Sequence, residues 1–121
     1  DREYLMGFIF SPLAWLLGVP AAECSAVGSV LGLKVVLNEF VAYLHLGPDI
    51  QAGRLSHRAA AIASLALCGF SNLSSIGLVV AAFGSQCPER REEIARKSAR
   101  AVLGGMLSNL MSAAIAGIIL P

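Results

Sequence analysis

Thirty consecutive residues, 59–88, carry no charged side chain, and near their centre lies the run Cys68-Gly69-Phe70-Ser71-Asn72-Leu73-Ser74-Ser75-Ile76-Gly77. As one continuous helix they would extend about 45 Å at 1.5 Å per residue, against a bilayer hydrocarbon core of about 30 Å. An amide and three hydroxyls give an unbroken membrane helix nothing. Gly, Ser and Asn are poor helix formers, and the polar ones compete for backbone hydrogen bonds. Two half-helices meeting at an unwound centre fit this pattern. The second half would present its N-terminal N–H groups and the positive end of its dipole near Ser74 and Ser75, beside Asn72. Discontinuous helices of this kind create polar binding sites at mid-membrane depth. The competing reading is a Ser-rich packing stripe on an ordinary helix.

Composition selects lipid as the solvent. The chain is 56% hydrophobic and 14% charged, with a mean hydropathy of +0.71. A soluble domain spends about 25% of its residues on charge. Net charge is only +1, and the basic residues form no face with interleaved aromatics, which argues against nucleic acid as a partner. Cys24, Cys68 and Cys87 are odd in number and far apart, without C-x-x-C or Cys/His spacing, and read as inert apolar thiols. His45 and His57 have no second ligand at i+3 or i+4, so no metal site is expected. Neither a Ser-His-Asp nor a Cys-His constellation is visible, so no enzyme and no cofactor are expected. There is no basic segment followed by a short apolar core, so a signal peptide is not expected, and the opening Asp1 suggests the C-terminal piece of a larger protein.

Charge distribution divides the chain into an all-α integral membrane protein. Residues 4–20 read as a transmembrane helix carrying Pro12, and 101–120 as the last one. Within 21–48, two short apolar arms around a polar tip describe a re-entrant helical hairpin, tolerated at depth only if buried in protein or lining a cavity. Residues 49–58 form a polar connection, 59–88 the broken transmembrane helix, and 89–121 a basic segment leading into the last helix. The segment 89–100 holds Arg90, Arg91, Arg96, Lys97 and Arg100, whereas 49–58 holds Arg54 and Arg58. Positive-inside bias places the former in the cytoplasm and Pro121 on the external face. Small residues recur every fourth position at Gly104/Ser108/Ser112/Ala116 and Ala60/Ser64/Cys68, and Gly28 with Gly32 makes a G-x-x-x-G pair; these read as close helix contacts. Asn72-Leu73-Ser74 spells a glycosylation acceptor that a membrane-buried segment cannot use.

Glu39 stands out among the charges. A carboxylate at membrane depth costs roughly 2.5 to 3.5 kcal/mol even on the lenient insertion scale, so it must be paired or face a cavity, and it marks function by default. Its alternative is an ion pair with Lys34 that holds the hairpin together, although a five-residue separation is not an ideal helical pairing.

Asn38-Glu39-Phe40-Val41-Ala42-Tyr43, followed by Ala66-Leu67-Cys68-Gly69-Phe70-Ser71-Asn72-Leu73-Ser74-Ser75-Ile76-Gly77, with Gly18-Val19-Pro20 before and Ala116-Gly117-Ile118 after, resembles the C-terminal portion of the concentrative nucleoside transporters. The resemblance covers essentially the whole chain. It implies a homotrimeric, multi-pass symporter of the cell inner (plasma) membrane, in which Na+ or H+ drives nucleosides inward and a transport domain moves against a scaffold. This chain would hold the end of a scaffold helix and the second of two inverted repeats. By the same resemblance, Glu39 at the hairpin tip and Asn72 and Ser75 in the unwound segment bind the ribose, and Phe70 lines the site as an apolar wall. The coupling ion and the base are implied to bind mainly in the remaining N-terminal part. Family members commonly carry alanine where this chain has Ser71, whose hydroxyl either alters the pocket or, as the favoured reading, bonds to the helix backbone. A structural membrane module without its own substrate site is the alternative, one that leaves Glu39 and Asn72 without purpose.

Overall fold

The computed structural model describes residues 2–121, and all regular structure among them is helical. Six α-helices follow in order: α1 Arg2–Leu16, α2 Cys24–Val36, α3 Glu39–Gln51, α4 His57–Leu67, α5 Leu73–Gln86 and α6 Arg91–Ile119. Short 3-10 turns at Ala21–Glu23 and Pro88–Arg90 lead into α2 and α6.

Three sets of contacts fix the levels of the molecule. At one end, Glu23 accepts from the backbone N–H and the hydroxyl of Ser56 at 2.5 and 2.9 Å, joining the start of α2 to the cap of α4. Arg58 at the same end donates to the carbonyls of Gly18, Leu120 and Gly117 at 2.8, 2.6 and 2.5 Å, tying down the end of α1 and the C-terminus of α6. In the middle, the α2–α3 turn meets the α4–α5 connection. The far end is the turn from α5 into α6. The α2–α3 turn thus lies beside the connection between α4 and α5, with Asn72 bonded to Glu39 and Ser74 to the Leu37 carbonyl.

The helix starts follow capping chemistry. Asn38, Ser56 and Asn72 precede α3, α4 and α5 in extended backbone, and each side chain accepts from the N–H three residues on. Helix α4 buries Ala59, Ile62, Ala63, Ala66 and Leu67 against α2 and α6, with Val27, Leu31, Leu46 and Ala113 in the same core. Helices α1 and α2 cross closely through glycine: a Cβ at Gly28 would lie 2.8 Å from the Ser11 backbone N, and one at Gly32 would lie 2.9 Å from Met6 Cβ. The G-x-x-x-G pair is thus a contact, as its spacing suggested.

Three expectations change. The first helix stops at Leu16 rather than running through 4–20, because Gly18 adopts φ +99° and Pro20 follows. Its 15 residues measure about 22 Å, short of the hydrocarbon core. The basic segment before residue 101 is not a separate connection but the first turns of α6. Glu93 there pairs with Arg90 at 3.0 Å and with Lys97 at 2.8 Å, at helical spacing. The run Pro88–Ile119 is the one described helix long and apolar enough to cross a membrane. Finally, the small-residue stripe of α6 that makes contact is one position later than expected. Gly105 meets Ser71, Asn109 meets Gly69, Ala113 is fully buried and Gly117 meets Leu17, while a Cβ at Gly104 would touch nothing and Ser108 and Ser112 are exposed. Two adjacent i, i+4 rows of small residues run along α6, and spacing alone does not choose between them.

Candidate functional site

Two helix N-termini converge at mid-height. Helix α3 begins at Glu39 and α5 at Leu73, so the positive ends of two dipoles lie beside one carboxylate. Asn72 joins them. Its Nδ2 donates to Glu39 Oε2 at 3.0 Å, while its Oδ1 accepts from the Ser75 N–H at 2.9 Å and lies 3.1 Å from the Ser75 hydroxyl. The Ser75 hydroxyl also reaches the Phe70 carbonyl at 2.9 Å, and Ser74 donates to the Leu37 carbonyl at 2.9 Å. Asn72 and Ser75 are buried at 1% and 3% exposure, whereas Glu39 is half-buried. Asn72 is the hydrogen-bond partner of the Glu39 carboxylate among the described residues, and a carboxylate offers about four lone-pair positions. The remaining acceptor sites can take further hydroxyl donors.

Of the residues singled out in the sequence, Glu39, Asn72 and Ser75 are brought together. Phe70 is 63% exposed. With Ser71 and Ser75 it lines a 570 Å³ groove between α5 and α6 that also includes Val79, Phe83, Arg90 and Lys97. Ser71 rests on Gly105 of α6.

The connection at 68–72 is held from both sides. Gly69 takes φ +100°, and a Cβ there would overlap the Asn109 side chain, so glycine is required for conformation and for space alike. Asn109 Nδ2 is buried against this segment without a hydrogen-bond partner among the described residues. On the other side, Lys34 forms no ion pair with Glu39 among the described residues. Its ammonium donates instead to the carbonyls of Ala66 and Cys68 at 3.1 and 3.2 Å. Sequence reading offers Lys34 only as an ion-pair partner for Glu39 and does not single out Asn109. The carbonyls that Lys34 meets lie 32 and 34 positions away, and Asn109 packs on Gly69 from a distant helix, separations that no local spacing reveals. The Asn38 cap was within reach, because it precedes Glu39 as Asn72 precedes Leu73.

Comparison with known proteins gives a consistent result. Residues 2–117 match the family described as Na+ dependent nucleoside transporter C-terminus. An uncharacterized transporter of Bacillus subtilis (strain 168), YutK, is 51% identical over 115 residues, 95% of this chain and 28% of that protein. The putative nucleoside permease NupX of Escherichia coli (strain K12) is 49% identical over 116 residues, again 95% and 28%. The structure of CNTnw in an inward-facing substrate-bound state aligns with a TM-score of 0.87 at 48% identity, covering 95% of this chain and 28% of that one. The chain thus spans under a third of the length of these relatives.

Proposed function

This chain belongs to the Na+-dependent nucleoside transporter family, matching its C-terminal region, and from that premise we propose that it supplies the ribose-binding half of the substrate site in a cation-coupled nucleoside symporter. The observation that carries the reading is the convergence of the Glu39 carboxylate with the Asn72 amide and the Ser75 hydroxyl at two helix starts. Ionised Glu39 accepts hydrogen bonds from the sugar hydroxyls, and charge-assisted bonds of this kind are about twice as strong as neutral ones. Asn72 orients the carboxylate, and Ser75 keeps the Asn72 amide from rotating. Phe70 provides an apolar wall on the groove side.

In this reading α2 and α3 form a re-entrant hairpin. At 13 residues each they measure about 20 Å, too short to cross, and both open toward the same end of the molecule. Helices α4 and α5 are the two halves of one broken transmembrane helix. The hairpin and the broken helix shift together as a body during alternating access. The protein lies in the cell inner (plasma) membrane as a multi-pass homotrimer, with the remaining N-terminal part completing the pocket and binding the Na+ or H+ that drives uptake. The basic start of α6 faces the cytoplasm.

Uptake of radiolabelled uridine by the full-length protein in vesicles under imposed Na+ or H+ gradients tests the assignment. Gradient-dependent uptake, competed by other nucleosides, is expected. Uptake that no nucleoside competes for contradicts it.

A further inference from the structure

Lys34 is a cation in the wrong place for an ordinary membrane helix. It sits near the deep end of α2, only 3% exposed, and an unsatisfied ammonium there would be costly. Its partners are the carbonyls of Ala66 and Cys68 at the C-terminal end of α4, where unpaired carbonyl oxygens and the negative end of the helix dipole coincide. In discontinuous membrane helices, carbonyls at such half-helix ends are the groups that coordinate alkali cations. Here the chain brings its own cation to them.

We propose that Lys34 is the resident cation of this half: its ammonium fills the carbonyl-lined position at the end of α4 that a sodium ion would otherwise take, and so positions the helix break against Glu39 without any bound ion. Lys34 reaches the break from α2, and the next turn of chain delivers Asn38 and Glu39, so one side chain locks the hairpin tip to the segment that carries Asn72. Lys34 is a positioning residue, since it touches the broken helix rather than the substrate. The proposal rests on the reading of this chain as half of a nucleoside site, and its test has one arm that does not depend on that reading.

The full-length protein is purified as parent, Lys34→Ala, Lys34→Met and Lys34→Arg, and its melting temperature is compared in sodium chloride and choline chloride. Lys34→Ala opens the carbonyls to solvent ions and is expected to gain a sodium-dependent rise of about 2–4 °C beyond the parent's. Lys34→Met fills the space with an apolar chain and gains none, and Lys34→Arg behaves as the parent. In uridine uptake, Lys34→Met raises KM by about tenfold with abundance and maximal rate less affected. A sodium response of Lys34→Ala equal to the parent's overturns the proposal, as does its failure to fold at any sodium concentration. An extra sodium response in Lys34→Arg, or an unchanged KM in Lys34→Met, overturns it as well. If the parent transports no uridine, the nucleoside reading fails, and the melting comparison still decides the role of Lys34.

Discussion

Asn72 Nδ2 lies 3.0 Å from Glu39 Oε2, so the residue that caps one helix also holds the carboxylate that begins another. The amide uses its two ends for different purposes: the oxygen stabilises α5 and the nitrogen orients Glu39. Asn does this with a donor and an acceptor on separate atoms, whereas a capping Asp carboxylate has no donor and a capping Ser or Thr has a single oxygen for both tasks.

Asn72→Asp keeps the cap but places a second carboxylate against Glu39. Two like charges about 3 Å apart cannot both ionise without strong repulsion. Nucleoside binding by the full-length protein is expected to fall at least about 100-fold at neutral pH. Asn72→Ser, which caps without the repulsion, loses about tenfold. Equal losses in the two variants, measured by isothermal titration or uptake KM, count against the Asn72–Glu39 link.

Glu39→Gln removes the charge and keeps the shape. Membrane abundance is expected to stay near the parent's, while KM for uridine rises about 10- to 100-fold. Lowered abundance with intact uptake would instead assign Glu39 a purely structural role. Quantitative immunoblotting beside transport kinetics separates the two.

Gly69→Ala forces a Cβ onto backbone at φ +100° and into the Asn109 side chain. A loss of about 1–2 kcal/mol from the backbone alone is expected, with the overlap added. Pairing it with Asn109→Ala relieves the overlap and not the backbone strain, so the double variant recovers only part of the melting temperature. Full recovery would show that φ at Gly69 is unimportant.

Arg58 satisfies three carbonyls from two segments, Gly18 after α1 and Gly117 and Leu120 at the end of α6. Arg58→Lys retains the charge without the planar fork and is expected to destabilise almost as much as Arg58→Ala, because a point ammonium cannot span all three acceptors. Thermal unfolding of the full-length protein reads the difference, and a lysine variant melting with the parent would reduce Arg58 to a simple charge.

Much of this arrangement was legible in the sequence, and the reasons differ by residue. The interruption at 68–72 is visible because Gly69, Ser71 and Asn72 crowd poor helix formers into an uncharged run. Glu39 is visible because a charge in apolar surroundings needs a reason. The end of α1 at Leu16 is hard to read from hydropathy, which continues past it to Val19, whereas the φ of Gly18, with Pro20 following, stops the helix. The basic residues of α6 read as a loop because charge was taken for connection, whereas the Arg90–Glu93–Lys97 spacing is helical. Lys34 was weighed against Glu39, its neighbour in sequence, and its true partners are carbonyls that have no sequence signature at all.

The proposed orientation of the chain rests on the positive-inside bias of the basic residues that lead into α6. A cysteine introduced at Ala52, in the exposed turn after α3, or at Pro121 is expected to react with impermeant thiol reagents applied from outside intact cells. Cys87, at the far end beside Arg90, is expected to react from the cytoplasmic side in inverted vesicles. The reverse pattern would invert the topology.

The most direct test asks whether Glu39 grips the sugar. Affinities of uridine and 2′,3′-dideoxyuridine are measured for the full-length protein and for its Glu39→Gln variant, closing a double-mutant cycle between the carboxylate and the ribose hydroxyls. The parent is expected to lose at least about tenfold on removal of the hydroxyls, and the variant much less, because the charge-assisted partner is already gone. Equal losses in parent and variant would mean that Glu39 and the ribose do not interact, and the site proposed here would be contradicted.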